Sequence, residues 1–260
     1  MNKTFDIHRF AMVLRWDILT NKKRYTGALL GLILGFTLIF IISLLSMRGW
    51  DYTESFHFSD PSEYFLNNNY SFFCIFMGIV PFVMATMIFH NMANKLSREN
   101  FLMLPASNLE KYFVRLLNMT LGSFILVILA LIGADLVQLA FSFIITPSFH
   151  MSLSWPTLSR WITTEFSFGD FCAFLFFHSF CILGGAFYRK QPFLLTFVTG
   201  GVLLWALGCI SIFFHPIFPR IPTEDICYII ICLCLTVFNY WASYKLFCRM
   251  QVICNKWINI

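Results

Sequence analysis

The sequence predicts an all-α integral membrane protein with six transmembrane helices, an N-terminal interfacial helix and both ends in the cytoplasm. Three observations carry this reading. Hydrophobic types make up 58% of the 260 residues and charged types 12%, about half the charged share of a soluble domain. Six apolar runs reach or approach the ~20 residues that a helix needs to cross a hydrocarbon core. The Lys and Arg residues between those runs sort to one side. Helices follow because lipid offers no partner to an open strand edge, and the alternation of a membrane barrel is absent. The same composition excludes a disordered chain and argues against an ordinary water-soluble enzyme.

Residues 1–25 form the first segment, and Phe5 to Arg24 reads as a helix without Pro or Gly. On a helical wheel His8, Arg15 and Lys22 fall on one line. Phe5, Met12, Trp16 and Leu19 flank it on one side, Ile7, Ala11, Leu14 and Ile18 on the other, and Asp6 and Asp17 lie opposite. One reading is a helix lying in the membrane interface, its cations toward lipid phosphates. The other is a plain basic flank that fixes orientation. The apolar run that follows is too long for the core of a cleavable signal peptide.

The transmembrane domain covers 26–246, with spans at about 26–47, 71–92, 118–145, 171–187, 192–214 and 226–244, and a tail at 247–260. Pro81 interrupts the second span, Asp135 is the only acid within a span, and the fourth is short at 17 residues. With the N-terminus inside, 15 of the 18 Lys and Arg lie on the cytoplasmic side, leaving only Arg48, Arg160 and Arg220 outside. That bias sets orientation, and it requires an even number of spans. Pro61, Pro147, Pro156, Pro216, Pro219 and Pro222 all fall in the expected outer loops, where helices stop. The outer segment 214–225 is dense in Pro and aromatics, and Trp50, Trp155 and Trp161 suit an aromatic belt. The nine cysteines show no CxxC pair of zinc spacing and read as small reduced hydrophobes. No metal and no cofactor is expected.

The longest inner connection is 93–117. Pro105 ends any helix arriving from the second span. Ser107-Asn108-Leu109-Glu110 then matches the S-x-x-E capping box, so a new helix is expected to begin at Asn108 and run through Lys111 and Arg115 into the third span. Phe101-Leu102-Met103-Leu104, beside Arg98 and Glu99, reads as an exposed apolar contact with a charged rim, the pattern of a protein interface. Alternatively these residues lie against the membrane surface, and the corner is a plain hairpin.

The phrase Met103-Leu104-Pro105-Ala106-Ser107, followed by Glu110-Lys111-Tyr112 and Arg115-Leu116, resembles the segment between the second and third spans of type-2 ABC exporter permeases, in versions from Bacteroides-type bacteria. The six-span topology, inside ends and irregular last outer loop also fit, whereas the short fourth span departs from the pattern. The resemblance implies a permease in a bacterial inner membrane, working as a homodimer or paired permease, that exports a substrate. It implies that a separate ABC-type ATPase subunit docks at the inner segment, with Arg98, Glu99, Phe101, Leu102, Pro105, Ser107, Glu110 and Lys111 as the coupling residues. The chain has no G-x-x-x-x-G-K-[ST] loop of its own, so ATP chemistry is expected on the partner. Membrane lipid is an expected partner and nucleic acid is not.

Within the spans, Asp135, with Gln138 one turn on, reads either as a group on a translocation path or as an interhelical hydrogen-bonding pair. His178 in the fourth span carries the same two readings. Gly184-Gly185 and Gly200-Gly201 permit close helix approach. Three other functions compete with a permease: an intramembrane enzyme, for which Asp135 and His178 would be the only imaginable dyad, a non-transporting assembly or sensory subunit, and a proton-coupled carrier. Neither HExxH nor GxSxG occurs.

Overall fold

The computed structural model describes residues 5–48, 61–93, 95–145, 152–164, 167–214 and 224–249. Among these the chain is all helical: α1 (Ile7–Thr20), α2 (Lys22–Arg48), α3 (Pro61–Thr86), a 3-10 turn (His90–Ala93), α4 (Lys95–Leu102), α5 (Asn108–Ile145), α6 (Ser154–Thr163), α7 (Phe168–Phe187), α8 (Pro192–Phe214) and α9 (Glu224–Arg249). Five helical stretches are long and apolar enough to cross a membrane: Lys22–Ser46, Phe65–Thr86, Asn108–Ile144, Phe168–Phe187 and Ile229–Arg249. The apolar helix α8 is 23 residues long, with side chains described as far as Ala206. The chain is a multi-pass helical membrane protein.

Several boundaries differ from the sequence expectation. The first helix does not run on to Arg24. It ends at Thr20, and the Asn21 carbonyl accepts the N–H groups of Arg24 (2.9 Å) and Tyr25 (3.1 Å) to start α2. Pro61 does not end a helix but opens α3, because its fixed φ and missing N–H cost nothing at a first helical position. The α3 helix then stops at Thr86 rather than 92, and Pro81 sits inside it. The short fourth span gains three residues as α7. Ser167 Oγ accepts the Gly169 N–H (3.3 Å), and the Asp170 carboxylate accepts the Ser167 N–H (3.3 Å), a second capping box. The connection 146–167 contains α6, with Pro156 in its first turn, rather than an uninterrupted loop. The α9 helix continues to Arg249, past the expected end of the span. The segment 215–223, Trp50 and the tail beyond Arg249 lie outside the described residues.

Within the described residues, contacts divide the chain into two compact units. One draws on Ile18–Val80 and Leu121–Glu165. Its core takes Phe36, Phe40 and Leu44 from α2, Phe65, Phe73 and Met77 from α3, Val127, Ala130, Leu131 and Ala134 from α5, and Leu153 ahead of α6. The spacing of 36, 40 and 44 defines one helix face, while Leu30, Leu34, Leu38 and Ile42 of α2 are exposed on the other. Small residues on α5 make room for the phenylalanines, and Gly133 lies so near Ile33 that an added Cβ would stand 3.0 Å from its Cδ1. Polar side chains cross-link α2 to α3, with Asn68 Nδ2 donating to Ser43 Oγ at 2.9 Å. Tyr70 and Thr164 share a 2.9 Å bond, Arg160 donates to Asn67, and its guanidinium sits 4.7 Å above the Tyr70 ring, which ties α6 to α3. Trp161 packs edge-on against Phe73.

The other unit draws on Met1–Asp17, Pro81–Thr120 and Phe166–Ile260. Here three polar bonds hold α9, two to α7 and one to α5. His178 Nδ1 pairs with the Tyr240 hydroxyl (3.0 Å), Asn239 Nδ2 donates to Ser179 Oγ (3.1 Å), and Tyr112 from α5 joins Ser243 (2.6 Å). Both glycines of the Gly184-Gly185 pair serve close approach: a Cβ on Gly185 would collide with the Thr86 carbonyl, and one on Gly184 with the Thr196 side chain. The Gly201 position is open. Cys74, Cys172, Cys181, Cys232, Cys234 and Cys248 are free thiols.

The glycine contacts predict a sharp asymmetry. Gly185→Ala, which overpacks against rigid backbone, lowers stability by ~1–3 kcal/mol. Gly201→Ala leaves the protein as stable as the parent. Thermal unfolding of the detergent-solubilised protein measures both, and equal midpoints for the two variants would contradict the packing described.

Candidate functional site

The connection 93–117 folds as a short helix, a corner and a capped helix. At the corner Met103 N–H reaches the Glu99 carbonyl (2.9 Å) and Ala106 N–H the Leu104 carbonyl (2.8 Å). The expected cap is present: Ser107 N–H donates to Glu110 Oε2 (2.8 Å), and Glu110 N–H donates to Ser107 Oγ (3.2 Å).

Glu110 has a second role that the S-x-x-E pattern does not reveal. Its other oxygen, Oε1, accepts the Asp6 N–H (2.8 Å) and Arg9 Nη2 (3.0 Å), so a fully buried carboxylate joins the start of α1 to the start of α5. A reciprocal pair lies further along both helices. Asp17 of α1, also fully buried, accepts Arg115 Nη2 (3.2 Å) and Asn118 Nδ2 (2.6 Å) from α5. Between the two clamps Phe10, Val13 and Leu14 pack against Leu104, Ala106 and Val114. Residues 9 and 17 of α1 meet residues 110 and 115–118 of α5 in the same order, so the two helices run parallel here.

The expected coupling residues separate into two sets. Arg98, Phe101, Glu110 and Lys111 are buried. Phe101 is not the exposed apolar contact expected of it: its ring lies beneath the Arg115 guanidinium (4.6 Å), beside Trp16 (6.0 Å) and edge-on to Phe247 (6.3 Å). The two cations satisfy carbonyls at helix ends, Arg98 Nε donating to Met92 (3.1 Å) and Lys111 Nζ to Leu102 (2.7 Å). Glu99, Leu102 and Ser107 are half-buried. The solvent-facing surface of the elbow is formed by Leu96, Ser97, Asn100, Met103, Pro105, Asn108 and Leu109, with Leu96 70% and Met103 81% exposed.

Sequence reasoning missed Arg9, Asp17, Arg115 and Asn118 as structural partners. The signal for Asp17 was an acid on the wheel opposite the cation line, a place that calls for a donor on a neighbouring helix.

Asp135 and Gln138 belong to the unit built from α2, α3, α5 and α6. The Asp135 carboxylate accepts Ser152 Oγ (2.7 Å), Leu153 N–H (2.9 Å), Ser154 N–H (3.1 Å) and Ser154 Oγ (2.5 Å). It therefore caps the amide end of α6, where an anion is favoured by the helix dipole. Gln138 is fully buried, and its amide has no hydrogen-bond partner among the described residues. His178 belongs to the other unit, where its Nδ1 is held by Tyr240.

Two expectations follow. Asp17→Asn leaves the buried Arg115 without its counter-charge and lowers stability by ~3–5 kcal/mol, whereas adding Arg115→Met restores part of the loss. Denaturant titration in detergent measures this, and strictly additive effects would refute the clamp. Asp135→Leu strands the Leu153 and Ser154 donors at ~1–3 kcal/mol for each buried group left unsatisfied. It also makes the chain near Trp161 more open to proteolysis, and unchanged stability together with unchanged cleavage would refute the cap. No protein-family model, curated protein or solved structure matches this chain.

Proposed function

We propose that this protein is the transmembrane permease subunit of an ATP-driven exporter. In this reading α2, α3, α5, α7, α8 and α9 are its six spans, and both ends lie in the cytoplasm of a bacterial cell, in its inner membrane. ATP is hydrolysed by a separate ABC-type subunit that docks on the elbow between α4 and α5. The permease works as a dimer, either of two copies or of two related chains.

One observation carries the reading most directly. The elbow presents three exposed apolar side chains, Leu96, Met103 and Leu109, while Arg98, Glu110 and Lys111 are spent internally on helix ends and on the clamp to α1. An apolar contact on a backbone held by buried ion pairs suits a partner that must push without deforming what it pushes. Force applied there would reach α5 directly, because the capped helix begins at the corner. It would reach α1 through Glu110 and Asp17. The motif resemblance at 103–116 points to the same partner.

Docking is best tested on the exposed residues, since changes at Arg98 or Lys111 disturb the fold itself. Leu96→Asp with Met103→Asp is expected to weaken co-purification of the ATPase by about 30-fold or more, the scale of losing an interface hot spot. Its unfolding midpoint should stay that of the parent. An intact complex in the double variant would rule out docking at this elbow. Failure of the unaltered protein to retain any ATPase from native membranes would remove the exporter reading.

A further inference from the structure

Two buried polar side chains of one unit meet no partner among the described residues. Gln138 of α5 is fully buried, and neither its amide nitrogen nor its amide oxygen is hydrogen-bonded. Thr157 of α6 is 1% exposed, and its hydroxyl is likewise unmet. Neighbouring hydroxyls return to their own backbone, Ser142 Oγ to the Leu139 carbonyl (2.8 Å) and Ser159 Oγ to the Pro156 carbonyl (3.0 Å), whereas Thr157 does not.

Both groups belong to the same core. Gln138 continues the α5 stripe of Val127, Leu131 and Ala134, and Thr157 stands between Leu153 and Trp161 on one face of α6. Those five apolar residues all line the core of the unit drawn from Ile18–Val80 and Leu121–Glu165. The Asp135 cap joins the two helices beside them: Gln138 follows Asp135 by three residues, and Thr157 follows Ser154 by three. Each is therefore about 4.5 Å along its helix from the joint, a distance that a glutamine side chain covers.

This part of α5 lies in the apolar stretch Asn108–Ile144, where lipid offers a polar group nothing. A buried amide there costs stability unless something accepts from its nitrogen and donates to its oxygen. Water does both, and a buried water typically makes about three bonds to polar groups that are otherwise unmet. Gln138 Oε1, Gln138 Nε2 and Thr157 Oγ1 supply three such groups. The complete burial of Gln138 favours an occupant of that size over a larger ligand.

We propose that the α5–α6 joint is a hydration site in which buried water bridges the Gln138 amide and the Thr157 hydroxyl. The water accepts from Nε2, donates to Oε1 and shares a bond with Oγ1. The inference is independent of the transport reading, since it concerns how this core satisfies its own polar groups.

The test is X-ray hydroxyl-radical footprinting of the full-length protein in nanodiscs, in heavy-oxygen water. Radicals born from a bound water oxidise the side chains beside it, while those born in bulk do not reach a fully buried one. Leu153 and Val127 are both fully buried, but Leu153 is one turn from Thr157 and Val127 is about three turns of α5 from Gln138. Leu153 takes up heavy oxygen and Val127 does not. Gln138→Met with Thr157→Val abolishes the Leu153 label. Denaturant titration in detergent gives a second reading. Thr157→Val raises the unfolding equilibrium constant by about threefold to tenfold, the loss of one hydrogen bond. Its effect is smaller in the Gln138→Met background, because both variants release the same water. An unlabelled Leu153 in the parent would overturn the proposal and assign any coupling of the two residues to a direct bond. Persistence of the label in the folded double variant would overturn it too. So would a Thr157→Val variant more stable than the parent, since deleting an unmet hydroxyl is a gain and deleting a water's partner is a loss. Where a variant fails to fold, labelling of the parent at Leu153 decides.

Discussion

Carboxylates withdrawn from water must collect their donors from the chain itself, and in this protein three of them organise the short helices around α5. Asp17 and Glu110 are fully buried and Asp135 is 3% exposed. Each joins α5 to a helix too short or too polar to hold its place by apolar packing alone, α1 through Asp17 and Glu110 and α6 through Asp135. A buried carboxylate without partners costs several kcal/mol, whereas one that collects several donors from the chain fixes the geometry of the helices that supply them. The acids thus convert a desolvation penalty into positional certainty. The two clamps at α1 also exchange roles, acid on α5 with cation on α1 at one point and the reverse at the other. That arrangement favours one register of the pair, since sliding α1 by a turn would bring unlike partners out of reach.

Local patterns in the sequence disclosed what is local. Apolar runs located the membrane helices, and α8 begins and ends where its run does. The capping box at Ser107 and the helix start at Asn108 were legible because both partners lie within four residues. What was not legible depends on partners far apart in the chain. Arg9 and Glu110 are 101 residues apart, and nothing in either neighbourhood names the other. Phe101 looked like surface because it opens an apolar stretch beside Arg98 and Glu99 in a connection between spans, yet a tertiary pocket formed with Trp16, Arg115 and Phe247 takes it inside. The α6 helix was missed because it is only ten residues long and holds a proline in its first turn, so it reads as loop until Asp135 supplies its cap.

The buried cations of the elbow show how the same residue types admit two meanings. Arg98 and Lys111 beside an apolar stretch resemble the rim of an interface. In the fold they finish helix ends, and the large apolar residues left facing outward are Leu96, Met103 and Leu109. A long basic side chain reaches a carbonyl several residues away as easily as it reaches solvent. Sequence alone therefore identifies the elbow more surely than it identifies which elbow residues a partner meets.

The polar contacts of α9 have a mechanical meaning. Asn239, Tyr240 and Ser243 meet Ser179, His178 and Tyr112 within little more than one turn of α9. Apolar helices in lipid slide past one another at small cost, since tail carbons replace side-chain carbons almost evenly. Three teeth meshed over so short a length, two with α7 and one with α5, forbid small slips: α9 either stays in step with both neighbours or disengages from all three contacts together. Motion in this part of the protein is accordingly that of a ratchet pawl rather than a lubricated rod.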